Sequence, residues 1–306
     1  MKNLKSVSAM FLLAVSFTAC EKNNLPEPAR AQAAERQGQI ILPVLNLRPI
    51  EVRDASGQLE KSFTYDSKNR LTYLYNVGEE MLAFEYSTNG LLQRVNHFPD
   101  GTVLDVKNAT TFDVFFYENS GSSKPSKINR FVNSELIKEK ANSTSELAKI
   151  QPSSTIEITY DGNKNKISER EYTFLGNGLA KGIVREHRYT YDNRNNVIST
   201  RFFEQNVLKG EVQFKLYDSF RNILSSVPVL NLLPFHFTGT NNATLILSGN
   251  LPEAKTGQTF IDHKKVCGAE VQKKFEYNDY GYPISETTIT NDGSYTVFIK
   301  YHLPND

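Results

Sequence analysis

The chain has 306 residues with 35 Lys and Arg against 34 Asp and Glu, a formal net charge of +1. So even a balance gives no basic field for nucleic acid to answer, and no nucleic-acid partner is expected. Hydrophobic residues at 39 %, aromatics at 11 % and charged residues at 23 % describe a chain able to build a core, long enough for one large or two modest domains.

The first element is a leader. Lys2 and Lys5 supply a positive start, Ala9 to Phe17 an apolar run, and Thr18-Ala19 small residues directly before Cys20. The run is shorter than the roughly 20 residues a membrane-spanning helix needs. The pattern resembles the lipobox of bacterial lipoproteins, with Phe17 standing where a leucine is usual. The resemblance implies a signal peptide over residues 1–19, a lipidated Cys20 carrying diacylglycerol and a further acyl chain, and attachment to the outer membrane. Two or more acyl chains give stable anchoring where one gives marginal binding. The covalent lipid is the only non-protein group expected, with no other cofactor and no metal.

Residues 20–39 read as a tether. Pro26 and Pro28 stiffen its start, and the Ala, Gln, Glu and Arg that follow bury too little surface to offset their ordering entropy. A short helix over residues 30–37 is the alternative. Residues 40–306 then form one β-repeat domain.

Beyond residue 55 one pattern recurs: a strand ending in an alternating aromatic or aliphatic pair, an Asx-rich turn, and a strand opening on an aliphatic residue. Copies begin at Phe63-Thr-Tyr65-Asp66, Phe84-Glu-Tyr86-Ser87, Ile158-Thr-Tyr160-Asp161 and Tyr189-Thr-Tyr191-Asp192, with later members at Phe214 to Ile223 and Phe275 to Ile284. Residues i and i+2 of a strand share a face, so each pair turns one way and the residue between turns the other. Asp and Asn side chains bond their own backbone in turns, and Gly or Asn takes a positive φ. Each unit therefore reads as a β-hairpin, and the succession as an all-β antiparallel meander forming a strongly curved sheet or half-barrel. Residues 142–149 predict at most a short helix, stopped by Pro152.

An apolar insertion at 225–250 breaks the rhythm. Its Pro228-Val-Leu-Asn-Leu232 repeats Pro43-Val-Leu-Asn-Leu47 residue for residue, which suggests plugs covering an open end of the sheet. The alternative is a lid over a ligand pocket, for which Leu232, Phe235, His236 and Phe237 are the candidate binding residues. Cys267 is the only cysteine besides Cys20, so no disulfide is available to a lipidated chain, and it reads as a small apolar residue rather than a reactive thiol.

The Tyr-Asp units, clearest from Tyr65-Asp66 to Leu71 and from Tyr191-Asp192 to Val197, resemble YD repeats of the RHS type. Together with the lipobox and the stretch from Tyr217-Asp218 through Leu232-Leu233-Pro234-Phe235 to Thr244, they resemble Bacteroidetes β-repeat lipoproteins of unknown function. The spacing is irregular, and Asn mostly stands where those repeats carry Gly before Arg. The resemblance implies a lipid-anchored envelope protein and supplies no catalytic residue.

Catalytic patterns are missing from the sequence. Histidines 97, 187, 236, 263 and 302 are isolated, and no His-Glu-x-x-His, Gly-x-Ser-x-Gly or phosphate-loop pattern occurs. Asp161-Gly-Asn163-Lys-Asn165 has the oxygen alternation of a calcium loop without its bidentate Glu and reads as a turn. Glu169 with Glu171, and Glu276 with Glu286, are the carboxylate pairs a glycosidase would need, but nothing in the sequence brings them together. The sequence thus points to a non-enzymatic, monomeric binding or scaffold module for glycan or an envelope protein. A carrier of lipid or another apolar ligand in a half-barrel cavity is the alternative, and a glycan hydrolase a third.

Overall fold

A computed structural model describes residues 47–102, 104–119, 121–132, 144–147, 149–174, 180–221, 227–234, 250–261, 264–290 and 292–302. Cys20 and the expected leader and tether lie outside the described residues. The strands are β1 (Arg48–Asp54), β2 (Leu59–Tyr65), β3 (Leu71–Asn76), β4 (Glu80–Tyr86), β5 (Leu92–Pro99), β6 (Thr111–Phe116), β7 (Lys127–Val132) and β8 (Ser154–Tyr160). They continue as β9 (Lys166–Phe174), β10 (Ala180–Tyr191), β11 (Val197–Glu204), β12 (Val207–Arg221), β13 (Asn250–Ile261), β14 (Lys264–Tyr277), β15 (Pro283–Thr290) and β16 (Gly293–His302). Each pairs antiparallel with the next, giving the all-β meander that the repeats predict. The expected curvature continues until the ends meet. β1 pairs with β16 from Arg48 opposite His302 to Asp54 opposite Val297, and the sheet closes on itself. The helical signal at 142–149 yields one turn, α1 (Thr144–Leu147).

The repeat turns explain the hairpins. Asp66 Oδ1 accepts from the backbone N–H of Lys68 and Arg70 at 2.9 and 2.8 Å, and its carbonyl accepts from Asn69 N–H. Asp161 holds Asn163 and Asn165, Asp192 holds Arg194 and Asn196, and Asn278 holds Tyr280 and Tyr282 in the same way. The fourth residue of these turns has a positive φ, 60° at Asn69, 65° at Lys164 and 62° at Asn195. This is a type I turn closed by a left-handed residue, and the ladder shifts register beside it, as between Thr64 and Tyr65.

The Phe214 unit departs from this expectation. β12 runs through Tyr217 and Asp218 to Arg221, with Tyr217 opposite Pro252 of β13, so its Tyr-Asp pair lies within a strand and makes no turn.

The paired rings face inward. Phe63 and Phe84 are buried with Leu71, Leu82, Leu92 and Val95 in the main core, against which Tyr65 and Tyr86 pack. The tyrosine hydroxyls explain why the second ring is Tyr rather than Phe: a phenol that enters a core needs a partner for its O–H. Tyr65 donates to Pro49 O at 2.9 Å, Tyr86 to Leu71 O at 2.8 Å, Tyr117 to Leu92 O at 2.9 Å and Tyr191 to Lys166 O at 2.7 Å. For Tyr86, Tyr117 and Tyr191 the acceptor is the first residue of an earlier odd-numbered strand. Each hairpin is thereby stitched to a neighbour along one rim. Burial pushes the Tyr65, Tyr86 and Tyr117 phenols upward, Tyr117 to about 12, and keeps these three as neutral donors.

The outer side of the wall is mixed: β4 to β7 carry there a buried apolar cluster of Phe98, Phe112, Val114 and Phe131, and ion pairs stand elsewhere on it. Glu85, between the inward Phe84 and Tyr86, pairs with Arg94 at 2.6 Å. On β9 and β10, Arg170 and Arg188 each lie 2.8 Å from Glu186, and Arg201 of β11 lies 2.9 Å from Glu211 of β12. No helix among the described residues is long and apolar enough to cross a membrane.

Candidate functional site

Turns after even-numbered strands gather at one rim, and the chain that follows β12 folds in at that rim. Residues 228–232 form a 3-10 helix whose Val227, Val229 and Leu230 are buried in the main core with Phe84, Leu92 and Ile158. The plug expected from Pro228-Val-Leu-Asn-Leu232 is therefore real. Its twin at 43–47 is described only at Leu47, buried with Tyr282 and Tyr301.

The plug does not fill the rim completely. Between it and the turns of three successive hairpins lies an open cleft of about 550 Å³, within the few hundred to a thousand Å³ usual for ligand pockets. Its floor is apolar: Leu71, Leu92, Val227, Val229 and Leu232. Tyr86 and Tyr117 line it with rings whose hydroxyls are already bonded to backbone. Its lip is cationic, with Arg48, Lys68, Arg70 and Lys124, and no Asp or Glu among the lining residues.

The four cations are held differently. Arg70 is neutralised locally by Asp66, 2.7 Å away, and lies 4.5 Å from the centre of the Tyr86 ring. Lys124 donates to Lys164 O at 2.5 Å and sits over the Tyr160 ring. Burial, then the charges of Lys166 and Lys164, lower its pKa, with Asp161 opposing. Arg48 lies over the Tyr65 ring at 5.5 Å. Neither Arg48 nor Lys68 has an ion pair among the described residues. Asn231, on the plug, contributes a buried Oδ1 that no donor among the described residues reaches.

Of the four binding residues expected from sequence, Leu232 lies in this cleft; Phe235, His236 and Phe237 lie outside the described residues. The cationic lip was not foreseen. Lys68 stands between Asp66 and the left-handed Asn69, and its turn position was the available signal; Arg48 and Lys124 have none, because only the closed sheet brings them to one rim.

The carboxylate pairs separate cleanly. Glu169 and Glu171 do line one void with Arg185, His187 and Pro234, but its volume is about 10 Å³, room for about one water and no sugar ring. Glu169 is buried against Lys166 at 2.5 Å, and Lys166 also donates to Leu233 O at 2.9 Å, tying the plug to the wall. His187 stacks on Phe202 at 4.8 Å and is held neutral, its pKa lowered to about 3 by burial and then by Arg185 and Lys166. Glu276 and Glu286 occupy opposite faces of the wall: Glu286 is opposite Phe275 and pairs with Lys273, while Glu276 accepts from Ser285. Asp161 spends its oxygens on Asn163 and Asn165, as a turn residue does, and no cluster of three or more metal-ligating side chains occurs among the described residues. His97 is buried with Asp113 and Glu80, and His302 is exposed; His263 and the side chain of Cys267 lie outside the description.

No family model matches this chain, and no curated protein matches it. Among solved structures it is similar to a porin-like protein from Bacteroides uniformis, with a TM-score of 0.49 and 11 % identity over 85 % of this chain and 99 % of that one. A porin-like protein from Bacteroides vulgatus gives a TM-score of 0.47 and 12 % identity over 84 % and 99 %. The TcdB2-TccC3 toxin complex gives a TM-score of 0.28 and 12 % identity over 78 % of this chain and 10 % of that one.

Proposed function

We propose that this chain is a lipid-anchored protein of the cell envelope, held at the outer membrane through Cys20, that binds an apolar ligand in the rim cleft and carries out no reaction on it. The cleft carries the reading: an apolar floor built partly from Val227, Val229 and Leu232 is what a carrier needs, and it favours an apolar ligand over a glycan or a protein partner. Glycan sites present hydroxyl partners beside their rings, whereas the Tyr86 and Tyr117 hydroxyls are turned into the wall. The ion pairs along the outer wall support a domain that meets water there and reaches the bilayer through acyl chains.

The test uses the full chain carrying Cys20→Ala, so that no acyl chain of its own is present, with the neutral dye N-phenyl-1-naphthylamine. Saturable dye fluorescence is expected, lost in Leu232→Arg while the far-ultraviolet circular dichroism of the two proteins stays the same. Fluorescence that does not saturate, or that survives Leu232→Arg, contradicts the reading. Palmitate labelling of the unmodified chain in cells, abolished by Cys20→Ala, is the corresponding test of the anchor.

A further inference from the structure

We infer that the ligand of the cleft is an anionic amphiphile bearing a hydroxyl near its head group, seated with its apolar body on the plug and its charge between Arg48, Lys68 and Lys124. The inference rests on the cleft being a binding site and specifies what fills it.

Three observations converge. The floor offers aliphatic surface and two aromatic rings without a free polar group, which suits an acyl chain or an apolar ring system. The lip offers positive charge that the described residues leave in part uncompensated. Arg70 has Asp66, but Arg48 and Lys68 have no carboxylate partner among the described residues, and the pKa of Lys124 is lowered by burial and then by the charges of Lys166 and Lys164. An anion entering at this lip relieves that repulsion, and does so beside low-dielectric walls where a charge pair is stronger than in open water. The third observation is Asn231 Oδ1, buried in the plug without a donor among the described residues. A buried acceptor left unmet costs free energy, and an O–H or N–H of a bound molecule would meet it. A carboxylate or phosphate cannot donate; a hydroxyl near it can.

The probes are 3-hydroxydodecanoate, dodecanoate and dodecanol, titrated by displacement of N-phenyl-1-naphthylamine from the full Cys20→Ala chain, below their critical micelle concentrations. The hydroxy acid should bind tightest and dodecanol weakest. Lys68→Gln and Lys124→Gln should each weaken the two acids about tenfold, as loss of one charge-assisted contact does, and leave dodecanol unchanged. Added salt should weaken the acids alone. Asn231→Ala should remove the advantage of the hydroxy acid over dodecanoate. Dodecanol binding as tightly as the acids overturns the anionic assignment while leaving an apolar site in place. Equal affinity of the two acids overturns the hydroxyl assignment. Failure of all three to displace a dye that does bind removes the cleft reading itself.

Discussion

At the residue scale, the barrel interior holds a charge network built from Glu80, His97, Asp113 and Arg130. Asp113 is fully buried, receives Arg130 Nε at 2.9 Å and Nη2 at 3.0 Å, and lies 3.4 Å from His97 Nε2, while His97 Nδ1 lies 3.0 Å from Glu80. These residues come from β4, β5, β6 and β7, so no spacing along the chain could have grouped them. Burial works against the charge of both, and the partners win. Desolvation would lower His97, but Asp113 and Glu80 raise it. Desolvation would raise Asp113, but Arg130 and His97 hold it far below the usual carboxylate range. The signs of the two contributions to stability are opposite. A raised His97 contributes in full below the ordinary histidine value of about 6.5 and is lost as pH climbs through its folded value. A depressed Asp113 contributes above about 3.9 and is lost as pH falls through its folded value. Urea midpoints measured across pH should therefore fall on the alkaline side in the native chain. His97→Gln should remove that alkaline fall and lower stability by about 1–3 kcal/mol near pH 6, the cost of a broken buried contact. Parallel curves for the two proteins would refute the role given to His97.

At the scale of the element, what could be read from sequence were the hairpins whose signal is local. Asp66, Asp161 and Asp192 announce their turns because the carboxylate bonds backbone two and four residues on, and a bond of that range is visible in a stretch of six residues. Tyr217-Asp218 shows the same letters and makes no turn, because pairing with β13 holds it extended and overrides a weak local preference. The left-handed position of these turns supplies a direct check. Asn tolerates a φ near 60° and Lys does not, yet Lys164 stands there at 65°. In urea unfolding, Lys164→Gly should raise stability by about 1 kcal/mol and Asn69→Ala should lower it by about the same amount. If both changes shift the midpoint in one direction, the assignment of these turns is wrong.

The plug is an intermediate case. Its apolar composition and its repeat of residues 43–47 mark it as something other than a hairpin, and Leu232 of the plug lines the rim cleft. The lip opposite it was not legible, since Arg48, Lys68 and Lys124 belong to different hairpins and meet only through the order of the sheet.

At the scale of the whole molecule, closure is the feature that local signals cannot carry. β1 and β16 are joined by no turn, and their pairing is specified only by matching alternation, with Val52 and Ile299 packing against core clusters while Arg53 and Phe298 point outward. Closure removes the two free edges that a meander would otherwise present to other chains. It also brings Arg48 to the rim where the plug lies, and so completes the cleft. The same alternation turns Phe63, Phe84 and Tyr189 inward along with the buried Asp113 and His97, and turns Glu85, Arg170 and Arg188 outward on a face that also carries Phe112 and Phe131. The pairing of first and last strands is thus the step on which both the core and the site depend. Arg53→Cys with Phe298→Cys, in a chain whose Cys20 and Cys267 are replaced by Ala, tests it through a short bis-maleimide. Opposed across β1 and β16, the two thiols should be bridged within a single molecule at protein dilutions that exclude dimers, giving a compact species of faster mobility on a denaturing gel. A bridge that forms only between molecules, or not at all while both thiols react with a monofunctional maleimide, would mean that the sheet is an open strip and that the rim cleft does not exist as described.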